Sequence, residues 1–181
     1  MRTFVAIDLP EDVHSVLAQK QAAFRAVCPD ARWTRSEGIH LTLKFLGEIS
    51  DAQVRQVTEA LSNIGRFETF VVEVKGFGFF PGDGRPRVFW AGLEAPPELS
   101  QLAARVETAM EALGFRQEQR RFSPHLTLAR FNVPRPQPAL QAFMAREGQP
   151  NLGRFKVSEF FLFESKLSSK GAEYRKVARF P

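Results

Sequence analysis

The tetrapeptide His-Leu-Thr-Leu occurs twice in this chain. The first copy is His40-Leu41-Thr42-Leu43, and the second is His125-Leu126-Thr127-Leu128, 85 residues further on. The chain has only 3 histidines in 181 residues, and the repeat uses two of them. Such a repeat predicts two copies of one structural unit, each of which delivers an imidazole to a shared site.

The two halves of the chain show the same order of predicted elements. In each half an apolar run is followed by proline and acidic residues, which mark the start of a helix: Phe4–Leu9 before Pro10, and Phe89–Leu93 before Pro96. Further helices are predicted at about 50–62 and 138–146, and strands at 70–80, 155–164 and 174–180. This order predicts an α+β fold with two pseudo-symmetric lobes, each an antiparallel sheet with helices on one face, and a central cleft between them.

The repeat also predicts the domain organisation. We expect residues 1–181 to form a single bilobal domain with lobe-forming repeats of about 1–86 and 87–181. The turn-rich stretch Pro81–Pro86 marks the boundary. The last predicted strand is able to complete the sheet of either lobe, so an exchange of strands between the lobes is left open.

Strand alternation indicates what the motifs are for. His40 and Thr42 point to one face of a strand while the leucines point to the core, and the same holds for His125 and Thr127. Imidazole titrates near neutrality, so two facing histidines can supply one base and one acid. Phosphodiester hydrolysis needs this pair and also needs donors for the non-bridging oxygens, which the threonine hydroxyls provide.

Two further residues are candidates for adding positive charge to this site, Arg130 and Lys44. Alternation from His125 places position 129, not 130, on the histidine face. Arg130 therefore needs a bulge, a strand end or a long reach to arrive there. The third histidine, His14, lies among polar neighbours in the first predicted helix and is expected at the solvated surface.

Composition limits the other possibilities. The net charge is +5, with 18 Arg and 7 Lys, which suits a phosphate-bearing or nucleic-acid partner but is also what an Arg-favouring genome produces. One cysteine, no apolar run of about 20 residues and no secretory signal indicate a cytoplasmic protein without membrane association. No zinc-type ligand spacing is present, so we expect no metal and no cofactor.

The chain resembles the 2H phosphoesterases, and most closely the RNA 2′,3′-cyclic phosphodiesterases formerly called 2′-5′ RNA ligases. That superfamily has two His-x-Thr/Ser-x motifs, which match the two copies described above. The flanking segments of this family are also present, as in Phe4–Ile7, Lys44–Glu48, Arg87–Trp90 and Ser123–Arg130.

The resemblance implies hydrolysis of an RNA terminal 2′,3′-cyclic phosphate to a 2′-phosphomonoester. It assigns His40 as the proton donor to the leaving 3′ oxygen and His125 as the proton acceptor from water, although two identical motifs cannot orient these roles by themselves. It places Thr42, Thr127 and Arg130 at the substrate phosphate. The implied partners are RNA 3′ ends or nucleotides bearing a 2′,3′-cyclic phosphate. We expect the protein to be a monomer.

Three alternatives stay open at this point. RNA ligation to a 2′-5′ linkage is the same chemistry in reverse, with a 5′-hydroxyl in place of water. A non-catalytic module that binds RNA ends would also use arginines and aromatic rings. A third possibility is a related activity on small 2′-linked or cyclic nucleotides. The candidate aromatic contacts to a base are Trp33, Phe45, Phe80 and Trp90.

Overall fold

The computed structural model describes all 181 residues and contains nine β-strands and four α-helices. The strands are β1 (Arg2–Ile7), β2 (Arg32–Trp33), β3 (Leu41–Glu48), β4 (Phe70–Phe80), β5 (Val88–Glu94), β6 (His125–Arg130), β7 (Asn151–Val157), β8 (Phe160–Ser168) and β9 (Gly171–Phe180). The helices are α1 (Glu11–Val27), α2 (Asp51–Ser62), α3 (Pro97–Ala112) and α4 (Pro138–Glu147).

The helices begin and end at local sequence signals. At the start of α2, the Ser50 hydroxyl accepts a hydrogen bond from the Gln53 backbone N–H (3.2 Å), and the Gln53 side chain accepts one from the Ser50 N–H (2.9 Å). This capping box pairs two N–H groups that a helix start otherwise leaves free. A proline begins both α3 and α4, where its missing N–H costs nothing. After α3, Gly114 adopts a φ of +88°, a conformation that ends a helix.

The strands form two sheets in which all neighbours are antiparallel. Sheet I has the order β3-β1-β8-β9, and sheet II has the order β2-β6-β5-β4-β7. The predicted α+β class with two antiparallel sheets is therefore confirmed.

Each sheet contains strands from both halves of the sequence. β4 comes from the first half but lies in sheet II beside β5, while β8 and β9 come from the second half but lie in sheet I beside β1. Counted from the motif strand, β3-β1-β8-β9 in sheet I corresponds to β6-β5-β4-β7 in sheet II. The two sheets thus repeat one arrangement, but neither sheet is built from one sequence repeat alone.

Helices pack against one face of each sheet. On sheet I, α3 contacts β3 and α2 contacts β9; on sheet II, α1 contacts β7 and α4 packs against α1. A single cluster of 36 buried apolar residues draws on both sheets and all four helices. None of these helices combines the length and the apolar character needed to cross a bilayer.

Some predicted elements differ from the observed ones. The predicted strand at 155–164 is two strands, β7 and β8, separated at Ser158 and Glu159. The chain turns there because β7 pairs with β4 in sheet II while β8 pairs with β1 in sheet I. No local pattern predicts β2, which has two residues and pairs only with the end of β6.

Candidate active site

The first motif lies at the edge of sheet I. His40 directly precedes β3, and Thr42 is the second residue of that strand. The neighbouring Leu41 and Leu43 are buried in the main core, so the imidazole and the hydroxyl project from the face opposite to α2 and α3. We call this surface the motif face of sheet I. It also carries a second, smaller cluster of buried residues, Phe4, Ala6, Phe161 and Phe163.

Aromatic rings enclose the imidazole of His40. Its ring centroid lies 4.4 Å from that of Phe163 and 5.1 Å from that of Tyr174. The Tyr174 ring reaches this position because residue 38 is glycine: a Cβ there would lie 2.6 Å from Tyr174 Cε2. Sequence reasoning missed both aromatic residues, since neither belongs to a motif and both lie more than 120 residues from His40.

Burial controls the protonation of His40. It lowers the pKa of the imidazole from 6.5 to about 4, because the charged form loses its hydration. The nearby Asp8 carboxylate and the Gly38 backbone act in the opposite direction, but they do not overcome burial and the positive charge of Lys176. Without substrate, His40 is therefore neutral at pH 7, and a bound anion would raise its pKa.

Asp8, which follows β1, is the centre of a polar cluster beside His40. Lys176 Nζ lies 2.6 Å from Asp8 Oδ2, and His14 Nε2 lies 3.8 Å from Asp8 Oδ1. Burial raises the pKa of Asp8, but the contacts with His14 and with the positive charge of Lys176 outweigh this and hold it well below its usual range. The carboxylate is therefore ionised whenever the protein is folded near neutral pH.

The expectation that His14 is a solvated surface residue is wrong. The imidazole is half-buried, and its Nδ1 lies 2.6 Å from the backbone oxygen of Ser36. The nearby Asp8 carboxylate raises the pKa of His14. Polar sequence neighbours misled the prediction because the segment just before the first motif folds back over α1 and covers this side chain.

The second motif occupies the equivalent place in sheet II. His125 and Thr127 lie on β6, and Leu126 and Leu128 are fully buried in the main core. The imidazole and the hydroxyl therefore project from the face opposite to α1 and α4, which we call the motif face of sheet II. The ring centroid of Phe80 lies 4.8 Å from that of His125, edge to face.

The backbone selects the tautomer of His125. Nδ1 lies 2.9 Å from the carbonyl oxygen of Ser123, which can only accept, so Nδ1 carries the hydrogen. Burial lowers the pKa of His125, the Ser123 contact raises it, and the positive charge of Arg130 lowers it further. In the neutral imidazole, Nε2 is left with a free lone pair, which is the arrangement a general base needs.

A bulge in β6 brings Arg130 to the motif face. Trp90 pairs with Thr127 and Phe89 pairs with Ala129, so Leu128 has no partner of its own on β5. Because this extra residue shifts the alternation by one, Ala129 faces the core and Arg130 shares the face of Thr127. Of the three routes predicted for Arg130, the structure shows the bulge, and Arg130 is also the last residue of β6.

The first motif has the same bulge but different residues around it. Ala6 pairs with Thr42 and Val5 pairs with Lys44, so Leu43 is the extra residue. Lys44 consequently faces the core side, where it is only 7% exposed, and its Nζ lies 2.6 Å from Glu107 Oε1.

The proposal that Lys44 adds charge at the phosphate is therefore wrong. Its Nζ also donates to the carbonyl oxygen of Arg116, 3.0 Å away, so both partners of the ammonium group lie on the helix side of sheet I. The same Glu107 oxygen accepts a hydrogen bond from the backbone N–H of Glu118 at 3.0 Å. Lys44 thus ties β3 to α3 and to the loop that leads to the second motif.

The two motif strands contact each other although they belong to different sheets. The backbone N–H of Thr34, which precedes the first motif, donates to the carbonyl oxygen of Leu128 in the second at 2.9 Å. Gln21 of α1 also donates to the Leu128 oxygen, at 3.0 Å, and to that of Thr34, at 2.7 Å. No group of three or more His, Cys, Asp or Glu side chains is arranged to hold a metal ion.

Two antiparallel sheets, each with a His-x-Thr pair on the face away from its helices, define a 2H phosphoesterase. The family model described as the 2′-5′ RNA ligase superfamily matches residues 14–168. The chain belongs to this family, as the motifs predict.

Relatives of the chain are similar over most of their length. A protein named RNA 2′,3′-cyclic phosphodiesterase from Aeropyrum pernix is 38% identical over 140 residues, which are 77% of this chain and 79% of that protein. A protein of the same name from Archaeoglobus fulgidus is 32% identical, with 97% of each chain covered.

Solved structures share the fold. The crystal structure of TT0787 of Thermus thermophilus matches with a TM-score of 0.82 and 29% identity, covering 99% of this chain and 97% of that one. LigT from E. coli complexed with 3′-AMP matches with a TM-score of 0.78 and 27% identity, covering 99% and 96%.

Proposed function

We infer that this protein is an RNA 2′,3′-cyclic phosphodiesterase that hydrolyses the terminal cyclic phosphate to a 2′-phosphomonoester. The observation that carries this conclusion is the pair of equivalent His-x-Thr strands, which contact each other and present their imidazoles on the open faces of two sheets. The names of relatives up to 38% identical support the substrate class.

The proposed reaction uses the two imidazoles as a base and an acid. Nε2 of His125 takes a proton from water, and the water oxygen forms a bond to phosphorus. The bond between phosphorus and the 3′ oxygen breaks, and that oxygen takes a proton from His40. The products are a 2′-phosphomonoester and a free 3′-hydroxyl group, so atoms and protons balance.

Arg130 beside His125 and Asp8 beside His40 support this assignment of roles. Arg130 disfavours the charged form of His125, which suits a group that must begin as a neutral base. At His40 the carboxylate of Asp8 favours the charged form, which suits a group that must begin as an acid, while the charges of His14 and Lys176 oppose it. Burial keeps His40 neutral in the free protein, so the acid role requires the anionic phosphate to raise its pKa on binding.

Thr42, Thr127 and Arg130 are proposed to hold the non-bridging oxygens of the phosphate. The β-branched threonines are restricted at χ1, so their hydroxyls are positioned before substrate arrives. The guanidinium of Arg130 reaches the same face through the bulge in β6 and is suited to two-point contact with phosphate. We propose RNA 3′ ends as the substrates. That the protein is a cytoplasmic monomer and needs no metal or cofactor stays a prediction.

The test of this function is product analysis with adenosine 2′,3′-cyclic phosphate. We expect adenosine 2′-phosphate as the product, at an unchanged rate after exhaustive treatment with a metal chelator, since imidazoles supply both proton transfers. Chromatography separates the 2′- and 3′-phosphates. The 3′-isomer as the main product, or a loss of activity restored by one metal ion, would contradict the mechanism.

The pH dependence provides a second test. Reaction of free enzyme with free substrate requires one protonated and one neutral imidazole. Below both pKa values the base is lost, and above both the acid is lost. Because the pKa of His40 is about 4 and that of His125 is also lowered, we expect a bell-shaped profile of kcat/KM with its maximum below pH 6.5. Measurement of kcat/KM from pH 4 to 9 checks this, and a rate that still rises above pH 8 would argue against it.

Ligation is the second candidate activity, and the description of the matching family favours it. A 5′-hydroxyl that enters in place of water would give a 2′-5′ linkage through the same groups. Water is in large excess, so we expect hydrolysis to dominate. One cyclic-phosphate RNA incubated with a 5′-hydroxyl RNA allows both products to be measured in a single reaction.

A further inference from the structure

Arg32, on the short strand β2, lies directly opposite Arg130. The two strands are paired so that Arg32 matches Arg130 and Trp33 matches Ala129. Trp33 packs against the main core, with its ring centroid 6.1 Å from that of Phe89. Because paired residues share a face and neighbours in a strand alternate, Arg32 lies with Arg130 on the motif face of sheet II.

Neither guanidinium of this pair has a carboxylate partner. Both side chains are exposed, and neither forms an ion pair with an Asp or Glu side chain. A single exposed arginine on an edge strand needs no ligand, since charges there prevent pairing with other chains. Two like charges directly opposite each other destabilise a strand pair, so an anion bound by both would remove a cost that the sheet otherwise bears.

The positive charge on this row of the sheet increases toward the edge. Phe80 on β4 pairs with Val88 on β5, Val88 pairs with Arg130 on β6, and Arg130 pairs with Arg32 on β2. The row therefore passes from two apolar side chains to two cations, and β2 is the last strand of sheet II. An extended anionic ligand that reaches Arg130 can continue over Arg32 and leave the site at this edge.

An RNA 3′ end carries a second anion next to the cyclic phosphate. The terminal ribose bears a phosphodiester on its 5′ oxygen, which links it to the preceding nucleotide. A nucleoside 2′,3′-cyclic phosphate lacks this group. Guanidinium groups suit such a contact because they bind two phosphate oxygens at once.

We propose that Arg32 binds the phosphodiester on the 5′ side of the terminal nucleotide, while Arg130 holds the cyclic phosphate that reacts. This inference rests on the proposed function and names a residue that makes the enzyme prefer an RNA end to a mononucleotide. Arg32 touches no reacting atom, so it acts on substrate preference and not on the chemical step. A contact to phosphate reads no base, so the preference does not depend on RNA sequence.

The substrate preference of the Arg32→Gln variant tests this proposal. The two substrates are adenosine 2′,3′-cyclic phosphate and the dinucleotide ApA that ends in the same cyclic phosphate. The preference is the ratio of their kcat/KM values. We expect it to fall by about 5- to 15-fold, since the variant loses a charged hydrogen bond at an exposed site. Arg32→Lys keeps the charge but not the two-point contact, so it should retain part of the preference.

A neutral linkage removes the anion instead of the arginine. In the matching dinucleotide, an uncharged methylphosphonate replaces the phosphodiester between the two nucleosides. We expect the wild type and Arg32→Gln to hydrolyse this analogue with the same kcat/KM. A wild type that still outperforms Arg32→Gln on the analogue by the full factor would contradict a contact to the phosphodiester.

Calorimetric titration measures the same contact without turnover. We expect Arg32→Gln to weaken binding of ApA 2′-phosphate by a similar factor, and added salt to narrow the difference because the contact is exposed. This measurement tests Arg32 even if the wild type hydrolyses no cyclic phosphate and the proposed function falls.

Arg55→Gln is the matched control. Arg55 is also exposed and without an ion pair, but it lies on α2, on the helix side of sheet I, so this variant should keep the wild-type preference. An equal loss of preference in Arg55→Gln would reduce the effect to overall charge. Equal losses on both substrates in Arg32→Gln would place Arg32 at the reacting phosphate. Either of these results, or an unchanged preference and Kd in Arg32→Gln, would overturn the inference.

Discussion

We expect the His40→Ala and His125→Ala variants to lose about 10²- to 10⁴-fold in kcat for a 2′,3′-cyclic phosphate, because each removes one positioned proton-transfer group. Neither imidazole lies in the main core. The leucines that alternate with His and Thr in each motif are the residues that point into it. Both variants should therefore fold, with circular dichroism spectra and cooperative unfolding transitions like those of the wild type.

At His125 a conservative variant separates the loss of catalysis from a loss of stability. Asparagine at position 125 offers an amide N–H in place of Nδ1–H and so can keep the hydrogen bond to the Ser123 oxygen. It has no lone pair equivalent to Nε2, so His125→Asn should be as inactive as His125→Ala but closer to the wild type in stability. Near-wild-type turnover in any of these folded variants would rule out the proposed acid–base pair.

The second large effect is expected at the threonines. Thr42→Val and Thr127→Val keep the shape and branching of the side chain but remove the hydroxyl that is proposed to donate to the phosphate oxygens. Loss of one donor to a developing oxyanion costs on the order of 10²–10³ in kcat in other enzymes. We expect each variant to fall in this range, with a smaller change in KM.

Thr58→Val is the matched control for this substitution. Thr58 is a half-buried threonine of α2, and its hydroxyl donates to the carbonyl oxygen of Val54 in the preceding turn at 2.8 Å. It lies on the helix side of sheet I and should keep full activity. If Thr58→Val and Thr127→Val lost activity equally, the effect would come from general destabilisation and not from a contact to phosphate.

The elements that could be predicted were those with local signals. The Ser50 cap before α2 and the prolines that begin α3 and α4 are local signals for helix starts. The His-x-Thr pairs were also recognisable, because alternation in a strand depends only on neighbouring residues. The predicted strand at 70–80 coincides with β4 for the same reason.

The features that could not be predicted depend on pairing between distant segments. Ring packing around His40 comes from Phe163 and Tyr174, which reach it only because β8 and β9 join sheet I. The burial of His14 is non-local in the same way, since its partners Asp8 and Ser36 lie on either side of α1 in the sequence.

By itself, the sequence determined the two catalytic candidates and the faces of the strands that carry them, because a repeated pattern and strand alternation are local properties. Only the tertiary structure decided which of the next residues along each strand share the face of the His-x-Thr pair. A bulge is set by the register of two strands brought together from distant parts of the chain, and it moved Arg130 and Phe45 to the motif faces and Lys44 away. Register depends on the partner strand, so it cannot be predicted from the sequence of one strand alone.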